Sequence, residues 1–339
     1  MAEISNWTDL LTEISTKKGV FEKLFLKINQ TLRSYEKSNS NFNPSIVQKN
    51  HQEIFFMYKL TYEQLLIEND MTDLFVEIPS LNSNNMNIVF NMVGIGKWIK
   101  LHCGNPSRIF FFDEEKTTLS DKSLADFLNK LEIIRPQYKY FGKEPTIYYK
   151  FKALPCDDVV AYLKKYNIVA TELSKNTTTV DYPRNPGNKV LLDQSMVLTL
   201  CSNLSYGLST SFYETSDDKT LEMMVNNKQE LDKYLQDKSI IISKYIFDQT
   251  KFKFDNMGGP LEKHRFEELC KRIIIVPDEK NLRFHYLKDI EFICASVAER
   301  ENAIIVTGNQ RFCNKISTYY SEIFYELFIG SQLAETKYS

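Results

Sequence analysis

The chain has 339 residues, of which 43% are hydrophobic, 13% aromatic and 25% charged, and this composition excludes a mainly disordered protein. Its length predicts two domains, each large enough to bury a core. A formal net charge of −2 argues against broad nonspecific binding to polyphosphate, although local clusters of Lys and Arg still allow a smaller basic surface.

The six cysteines and four histidines lack the spacing of a zinc site. No CxxC pair occurs, and several cysteines lie in apolar runs, so we interpret them as reduced core residues. The N-terminus lacks the pattern of a signal peptide, and no apolar run approaches the length of a membrane span. We therefore expect a cytoplasmic or nuclear protein with no membrane partner.

The first half of the chain predicts an α+β domain over residues 1–180. Residues 5–36 and 46–69 have helical spacing and are separated by the polar stretch 38–44, which predicts a helical hairpin. Four strand-like runs follow and predict a small antiparallel sheet, at residues 74–78, 87–93, 98–102 and 108–112. A short α/β unit comes next, with helices at 120–134 and 157–166 and strands at 146–151 and 168–171.

Residues 174–188 are polar and contain two prolines, which is typical of a linker between domains. Four short apolar runs follow it, separated by segments long enough for crossover helices: 190–192, 240–242, 273–276 and 304–306. Such runs are typical of buried parallel strands, so we predict a Rossmann-like α/β domain over residues 188–339. No GxGxxG or P-loop motif accompanies it, so a nucleotide cofactor is not predicted.

The residues that follow two of these runs are polar. Asp193 and Ser195 follow the first run, and Thr307 and Asn309 follow the last. Ligands of parallel sheets bind beyond the carboxyl ends of the strands, so these side chains are candidates for a shared cleft. The alternative is that Asp193, Ser195 and Asn309 only begin the helices that come next.

The helix predicted over residues 288–300 carries further acids. Asp289 and Glu291 project about 200° apart around a helix, so only one of them can face a shared cleft, and spacing does not choose between them. Glu299 lies near the helix end, where a solvated charge is the alternative interpretation. A phosphate-facing basic strip is a further possibility in the same domain, and its candidates are Lys263, His264, Arg265, Lys271 and Arg272, with Arg311 and Lys315 elsewhere. Nearby glutamates dilute this strip, so a mixed solvated helix face is the alternative interpretation.

Several segments in a shared order carry a resemblance to a known family. In the first half they are Trp98-Ile99-Lys100, residues 144–151 and residues 167–169; in the second half they are residues 190–195, Gly258-Gly259-Pro260 and Thr307-Gly308-Asn309. Together they resemble an uncharacterised eukaryotic family whose C-terminal half is a domain of unknown function assigned to the PIN-like superfamily. The resemblance covers most of the chain and implies a PIN-like fold for residues 188–339.

The resemblance also implies a site. Asp193 corresponds to the first acid of a PIN nuclease and Glu291 to the acid of the penultimate helix, with Glu299 as its rival. These acids would hold Mg²⁺ or Mn²⁺, which would activate water for attack on a phosphodiester. Gln249 and Asn309 stand where such nucleases usually carry acids, and an amide coordinates a cation without neutralising it.

Two functional interpretations follow from the resemblance. The first is a PIN-like RNA-binding protein or divalent-metal-dependent ribonuclease with an incomplete acidic set. Asp193, Glu291, Asp289, Glu299 and Asn309 are then the candidate catalytic residues, Asp193 and Glu291 the metal ligands, and Ser195 and Thr307 the substrate-binding residues. The second is a catalytically inactive scaffold that binds RNA, or binds a protein partner through residues 1–180. A small-molecule hydrolase is not favoured, because the chain lacks a nucleophile elbow.

Overall fold

A computed structural model describes residues 4–38, 52–68, 70–80, 86–102, 124–178, 182–183, 185–208, 218–331 and 333. The strand predicted at 108–112 and nearly all of the polar stretch 38–44 lie outside these residues. Internal contacts divide the chain into an N-terminal unit and a C-terminal unit. The N-terminal unit comprises Met1–Lys139 and Lys143–Asp181, and the C-terminal unit comprises Tyr140–Gly142 and Tyr182–Ser339.

The N-terminal unit begins with three helices, α1 (Trp7–Ser15), α2 (Val20–Ser38) and α3 (Gln52–Leu65). The single helix predicted over residues 5–36 is therefore wrong. It breaks into α1 and α2 because Gly19 adopts a left-handed φ of +72° between them. The helices bury an apolar face, to which α1 contributes Trp7, Leu10 and Ile14.

The sheet of the N-terminal unit is mixed. Its five strands pair in chain order, and the helices α4 (Leu124–Ile134) and α5 (Asp157–Lys165) lie between the later ones. The strands are β1 (Met71–Pro79), β2 (Asn87–Gly94), β3 (Lys97–His102), β4 (Thr146–Phe151) and β5 (Ile168–Glu172). The pairs β1–β2 and β2–β3 are antiparallel, whereas β3–β4 and β4–β5 are parallel. The predicted antiparallel sheet and α/β unit are thus parts of one sheet.

An ion cluster is buried beside this sheet. One oxygen of the Glu68 carboxylate accepts a hydrogen bond from Lys97 Nζ at 3.0 Å. The other oxygen accepts one from the Thr177 backbone N–H at 2.9 Å and lies 2.7 Å from Lys150 Nζ. The Lys97 and Lys150 side chains are only 1% and 0% exposed. Burial alone would raise the pKa of Glu68, but the hydrogen bonds from Lys150, Thr177 and Lys97 outweigh it and hold that pKa below its usual value.

The C-terminal unit is built on a parallel sheet of five strands in the order β10-β9-β6-β7-β8. A mixed α/β architecture with a parallel sheet is therefore confirmed. The strands are β6 (Lys189–Leu192), β7 (Ser239–Ser243), β8 (Ile273–Val276), β9 (Ile304–Thr307) and β10 (Tyr325–Leu327). The helices are α6 (Gln194–Cys201), α7 (Asp218–Leu235), α8 (Lys244–Met257), α9 (Pro260–Cys270), α10 (Asp289–Glu301) and α11 (Gln310–Tyr319).

The strand order determines where the chain reverses direction across the sheet. From β6 the chain adds β7 and β8 on one side, and then returns to add β9 and β10 on the other side. The boundary between β6 and β9 is therefore the topological switch point, the place where open α/β sheets generally bind their ligands at the carboxyl ends of the strands. In the centre of the sheet, β6 is fully buried from Val190 to Leu192.

The edge strand β8 departs from the prediction that all four apolar runs are covered on both faces. Ile274 and Ile275 of β8 are 55% and 45% exposed. The apolar run predicts the strand correctly, but it does not reveal its place at the edge of the sheet. In the part of the chain that the structure describes, no helix combines the length and apolar character needed to cross a membrane.

The buried ion cluster generates a stability prediction. The substitution Glu68→Gln leaves the Lys97 and Lys150 ammonium groups without their shared carboxylate, so we expect the N-terminal unit to lose about 3–5 kcal/mol of unfolding free energy in urea denaturation. The matched control is Glu268→Gln, which removes an exposed carboxylate from its pair with Lys271. We expect no measurable shift of its urea midpoint, and equal midpoints for the two variants would contradict the stabilising role of Glu68.

Candidate functional site

The candidate site lies at the switch point between β6 and β9. The two strands are parallel, with Leu192 opposite Val306, and the Asp193 N–H extends the ladder by donating to the Val306 carbonyl at 3.1 Å. Asp193 follows β6 directly, and Thr307 is the last residue of β9. The register therefore brings these two side chains together at the carboxyl edge of the sheet.

Asp193 is the N-cap of α6, as the capping interpretation predicts. One carboxylate oxygen accepts hydrogen bonds from the Met196 backbone N–H at 3.0 Å and from Ser195 Oγ at 2.5 Å, and the other accepts one from Thr307 Oγ1. The residue is 7% exposed. Burial raises the pKa of Asp193 above its usual value, against the opposing effect of these hydrogen bonds.

The turn after β9 contacts the same groups through its backbone. The Gly308 N–H donates to Ser195 Oγ at 2.7 Å, and the Asn309 N–H donates to Thr307 Oγ1 at 3.0 Å. A Cβ atom on Gly308 would lie 3.0 Å from both Ser195 Oγ and the Cα of Gly330, so the close approach favours glycine at this position. Ser195 and Thr307 therefore act as hydrogen-bonding links between the two strand ends.

Glu291 reaches the site from the first turn of α10. One of its carboxylate oxygens accepts a hydrogen bond from Lys315 Nζ at 2.5 Å, and the other lies 3.5 Å from Asn309 Nδ2. Asn309 is the N-cap of α11 and accepts the Phe312 N–H at 3.1 Å. We call the connected set the carboxyl-edge network; its members are Asp193, Ser195, Thr307, Asn309, Glu291 and Lys315.

Two other acids of α10 lie outside the carboxyl-edge network. Asp289 is the exposed first residue of the helix, and its φ is +45°. Glu299 is eight residues beyond Glu291, a separation of about 12 Å along a helix axis. The Glu299 side chain is buried and accepts hydrogen bonds from Arg283 and, at 2.8 Å, from Asn281 Nδ2. The structure thus distinguishes Glu291 from its two rivals by position.

The two positions at which the PIN resemblance expects further acids are occupied by amides, Gln249 and Asn309. Gln249 is exposed on α8, and its neighbour Asp248 forms an ion pair with Lys244. Among the residues that the structure describes, no group of three or more His, Cys, Asp or Glu is arranged to hold a metal ion. Both carboxylates of the carboxyl-edge network already accept hydrogen bonds, and a divalent cation at Glu291 would compete with Lys315. Binding of Mg²⁺ or Mn²⁺ stays a prediction.

The sequence interpretation missed the role of two basic residues. Arg283 lies in a short turn, Leu282–Phe284, and forms ion pairs with both Glu299 and Glu322. Its guanidinium also lies 4.6 Å from the centre of the Tyr140 ring. Lys315, a candidate for the basic strip, is the partner of Glu291 in the structure. Neither pairing has a local sequence signal, because each joins residues from separate elements.

The Arg283 cluster contains one more carboxylate than it has guanidinium groups. Glu299 and Glu322 face the single Arg283 side chain, and all three are nearly buried. Burial raises the pKa of Glu299 to about 7, although Arg283, the Phe141 backbone and Asn281 act in the opposite direction. Burial disfavours the charged form of the Glu299 carboxyl, and its protonation leaves one carboxylate for one guanidinium.

This shift predicts a pH dependence of stability. The folded state keeps a proton on Glu299 up to about pH 7, whereas the unfolded state loses it near the usual pKa of 4.5, so stability falls as the pH rises through this window. We expect the urea midpoint of the C-terminal unit to decrease from about pH 5 to about pH 8, and Glu299→Gln to flatten that decrease.

The control for this prediction is Glu301→Gln on the same helix. Burial opposes ionisation of Glu301 as well, but the hydrogen bonds from Lys189 and Arg300 hold its pKa below the usual value. Glu301 therefore titrates below the pH range in which Glu299 titrates. The Glu301→Gln variant should show the same decrease of urea midpoint with pH as the wild type. An unchanged slope in Glu299→Gln would show that another group titrates in this range.

Comparison with known proteins identifies the family of the chain. A family described as "Protein of unknown function (DUF1308)" matches residues 190–337, which include the whole carboxyl-edge network. The uncharacterized protein R220 of Acanthamoeba polyphaga mimivirus is 45% identical over 342 residues and is matched over 100% of both chains. This relative is viral, so the match supports an uncharacterised family without restricting it to eukaryotes. The chain belongs to the uncharacterised protein family that includes R220 and carries the DUF1308 domain.

Proposed function

We propose that the C-terminal unit is a PIN-like domain that binds RNA at the carboxyl edge of its parallel sheet. The observation that carries this proposal is the place of the carboxyl-edge network at the switch point between β6 and β9. Open α/β sheets bind their ligands in the crevice at such a point. The strand order and the all-parallel pairing support the PIN-like assignment as one form of a Rossmann-like sheet.

The chemistry of the crevice favours a phosphate ligand. The helices α6, α8 and α11 begin directly after β6, β7 and β9, so their N-terminal dipoles face the same edge. Cationic side chains also lie at this edge of the sheet. Arg311 is exposed in the first turn of α11, and Lys253 Nζ donates to Gln194, the first residue of α6, at 2.7 Å. A phosphate backbone supplies the anionic oxygens that such groups bind.

A second candidate function is divalent-metal-dependent cleavage of RNA at the same edge. It is favoured by the presence of both Asp193 and Glu291 in the carboxyl-edge network, since these are the acids that the PIN resemblance implies as metal ligands. The Glu291–Lys315 pair opposes it, because a cation at Glu291 must compete with an ammonium group that is already bound. A protein partner for residues 1–180 stays a prediction from the sequence.

RNA binding predicts specific changes in salt dependence. We expect Arg311→Gln and Lys253→Met each to weaken binding of single-stranded RNA in fluorescence anisotropy, and to reduce the slope of log affinity against log salt by about 1. The control is Lys271→Met, because Lys271 follows α9 and precedes β8, at the opposite edge of the sheet. If all three variants weaken binding equally, RNA contacts the protein nonspecifically and the proposed site is wrong.

The same preparations distinguish binding from cleavage. We expect the wild-type protein to bind a mixed pool of single-stranded and structured RNA in Mn²⁺ without cutting it. Asp193→Asn keeps a helix-capping side chain, so it removes the carboxylate charge without removing the cap. Cleavage by the wild type that disappears in Asp193→Asn would establish the second candidate instead. A wild-type protein that does not bind RNA would contradict both candidates.

A further inference from the structure

The Glu291–Lys315 pair lies where the PIN resemblance places a metal ligand. Lys315 Nζ is 2.5 Å from one oxygen of the Glu291 carboxylate, and both side chains are partly buried. The other oxygen faces Asn309 Nδ2 at 3.5 Å. Both carboxylate oxygens of Glu291 therefore face nitrogen donors of this chain. One of these donors, the Lys315 ammonium, carries a full positive charge.

The orientation of Asn309 is fixed by the helix that it begins. Its Oδ1 accepts the Phe312 N–H as the cap of α11, so the amide NH₂ is the group that faces Glu291. An aspartate at this position would present a carboxylate oxygen to the Glu291 carboxylate, and that pair would need a cation or a proton between them. The Asn309 amide removes this repulsion. The charge of the Glu291 carboxylate is then the only negative charge of this pair that needs a cation.

We propose that the Lys315 ammonium is the resident cation of the carboxyl-edge network. It occupies the place that a divalent ion would hold beside Glu291, and together with Asn309 it makes the site independent of metal. This inference rests on the proposed function only for the identity of the ligand, which is an RNA phosphate. That phosphate would approach a Glu291 carboxylate whose charge Lys315 neutralises. The state of the cation site is a separate property and can be measured without RNA.

The charge balance of the network supports this inference. Asp193 and Glu291 supply two negative charges and Lys315 supplies one positive charge, so the ammonium already offsets part of the charge that a divalent cation would neutralise.

The inference is tested by removing the internal cation. Lys315→Met keeps most of the aliphatic chain but frees the Glu291 carboxylate, and Asn309→Asp adds an acid while preserving a good N-cap. Binding of Mn²⁺ to the full chain is measured by electron paramagnetic resonance of free Mn²⁺. We expect no saturable binding to the wild-type protein at submillimolar Mn²⁺. The double variant should bind with an affinity at least about tenfold higher, and Lys315→Met should be intermediate.

The matched control is Lys271→Met, which removes the same charge and also frees a carboxylate, Glu268, from a lysine 2.5 Å away. It should gain no Mn²⁺ binding, because the freed acid is exposed and lies outside the carboxyl-edge network. Thermal unfolding verifies that each variant is folded. If the double variant does not fold, Lys315→Met carries the test, because it leaves the cap of α11 unchanged.

Three results would overturn the inference: a wild-type protein that binds Mn²⁺ as tightly as the double variant, a folded double variant without any gain, or an equal gain in the Lys271→Met control. These results are independent of RNA binding. A wild-type protein that neither binds RNA nor holds Mn²⁺, with a double variant that gains Mn²⁺, would refute the proposed function and support the role of Lys315.

Discussion

The hydrogen bond between Thr307 and Asp193 is the interaction on which the C-terminal site depends. It joins the ends of β6 and β9 across the point where the strand order reverses. The Asp193 carboxylate also begins α6, and the Thr307 hydroxyl accepts the Asn309 N–H at the start of α11. One buried carboxylate therefore sets the positions of two strands and two helices.

Buried charges are balanced differently in the two units. In the N-terminal unit Glu68 is shared by two buried lysines, Lys97 and Lys150, and Lys97 also pairs with the partly exposed Asp70. In the C-terminal unit Arg283 is shared by Glu299 and Glu322, and burial raises the pKa of Glu299 against the opposing effect of Arg283. The first arrangement favours ionised Glu68, and the second favours protonation of Glu299. The carboxyl-edge network differs from both clusters, because hydroxyl, amide and backbone groups donate many of the hydrogen bonds to its two carboxylates.

The sequence predicts the strands of the molecule better than it predicts its site. Runs of β-branched and aromatic residues predict β4 and β8 at their observed bounds, because side-chain shape and burial act locally. The strand β10 was missed, since Tyr325–Leu327 is short and contains Glu326. Capping by Asp193 was predicted because its signal lies within a few residues.

The pairing of charges could not be predicted in the same way. Whether Glu291 faces Lys315 depends on how α10 and α11 pack, and whether Glu299 is solvated depends on Arg283 in a separate turn.

The hydrogen bond between Thr307 and Asp193 can be tested by a carboxyl-carbon NMR titration, with the Asp193 signal assigned by its loss in Asp193→Asn. We predict that Asp193 titrates above its usual pKa of 3.8, and that its pKa rises further in Thr307→Val but not in Thr307→Ser. A wild-type Asp193 that titrates at its usual pKa, or one unaffected by Thr307→Val, would contradict the account.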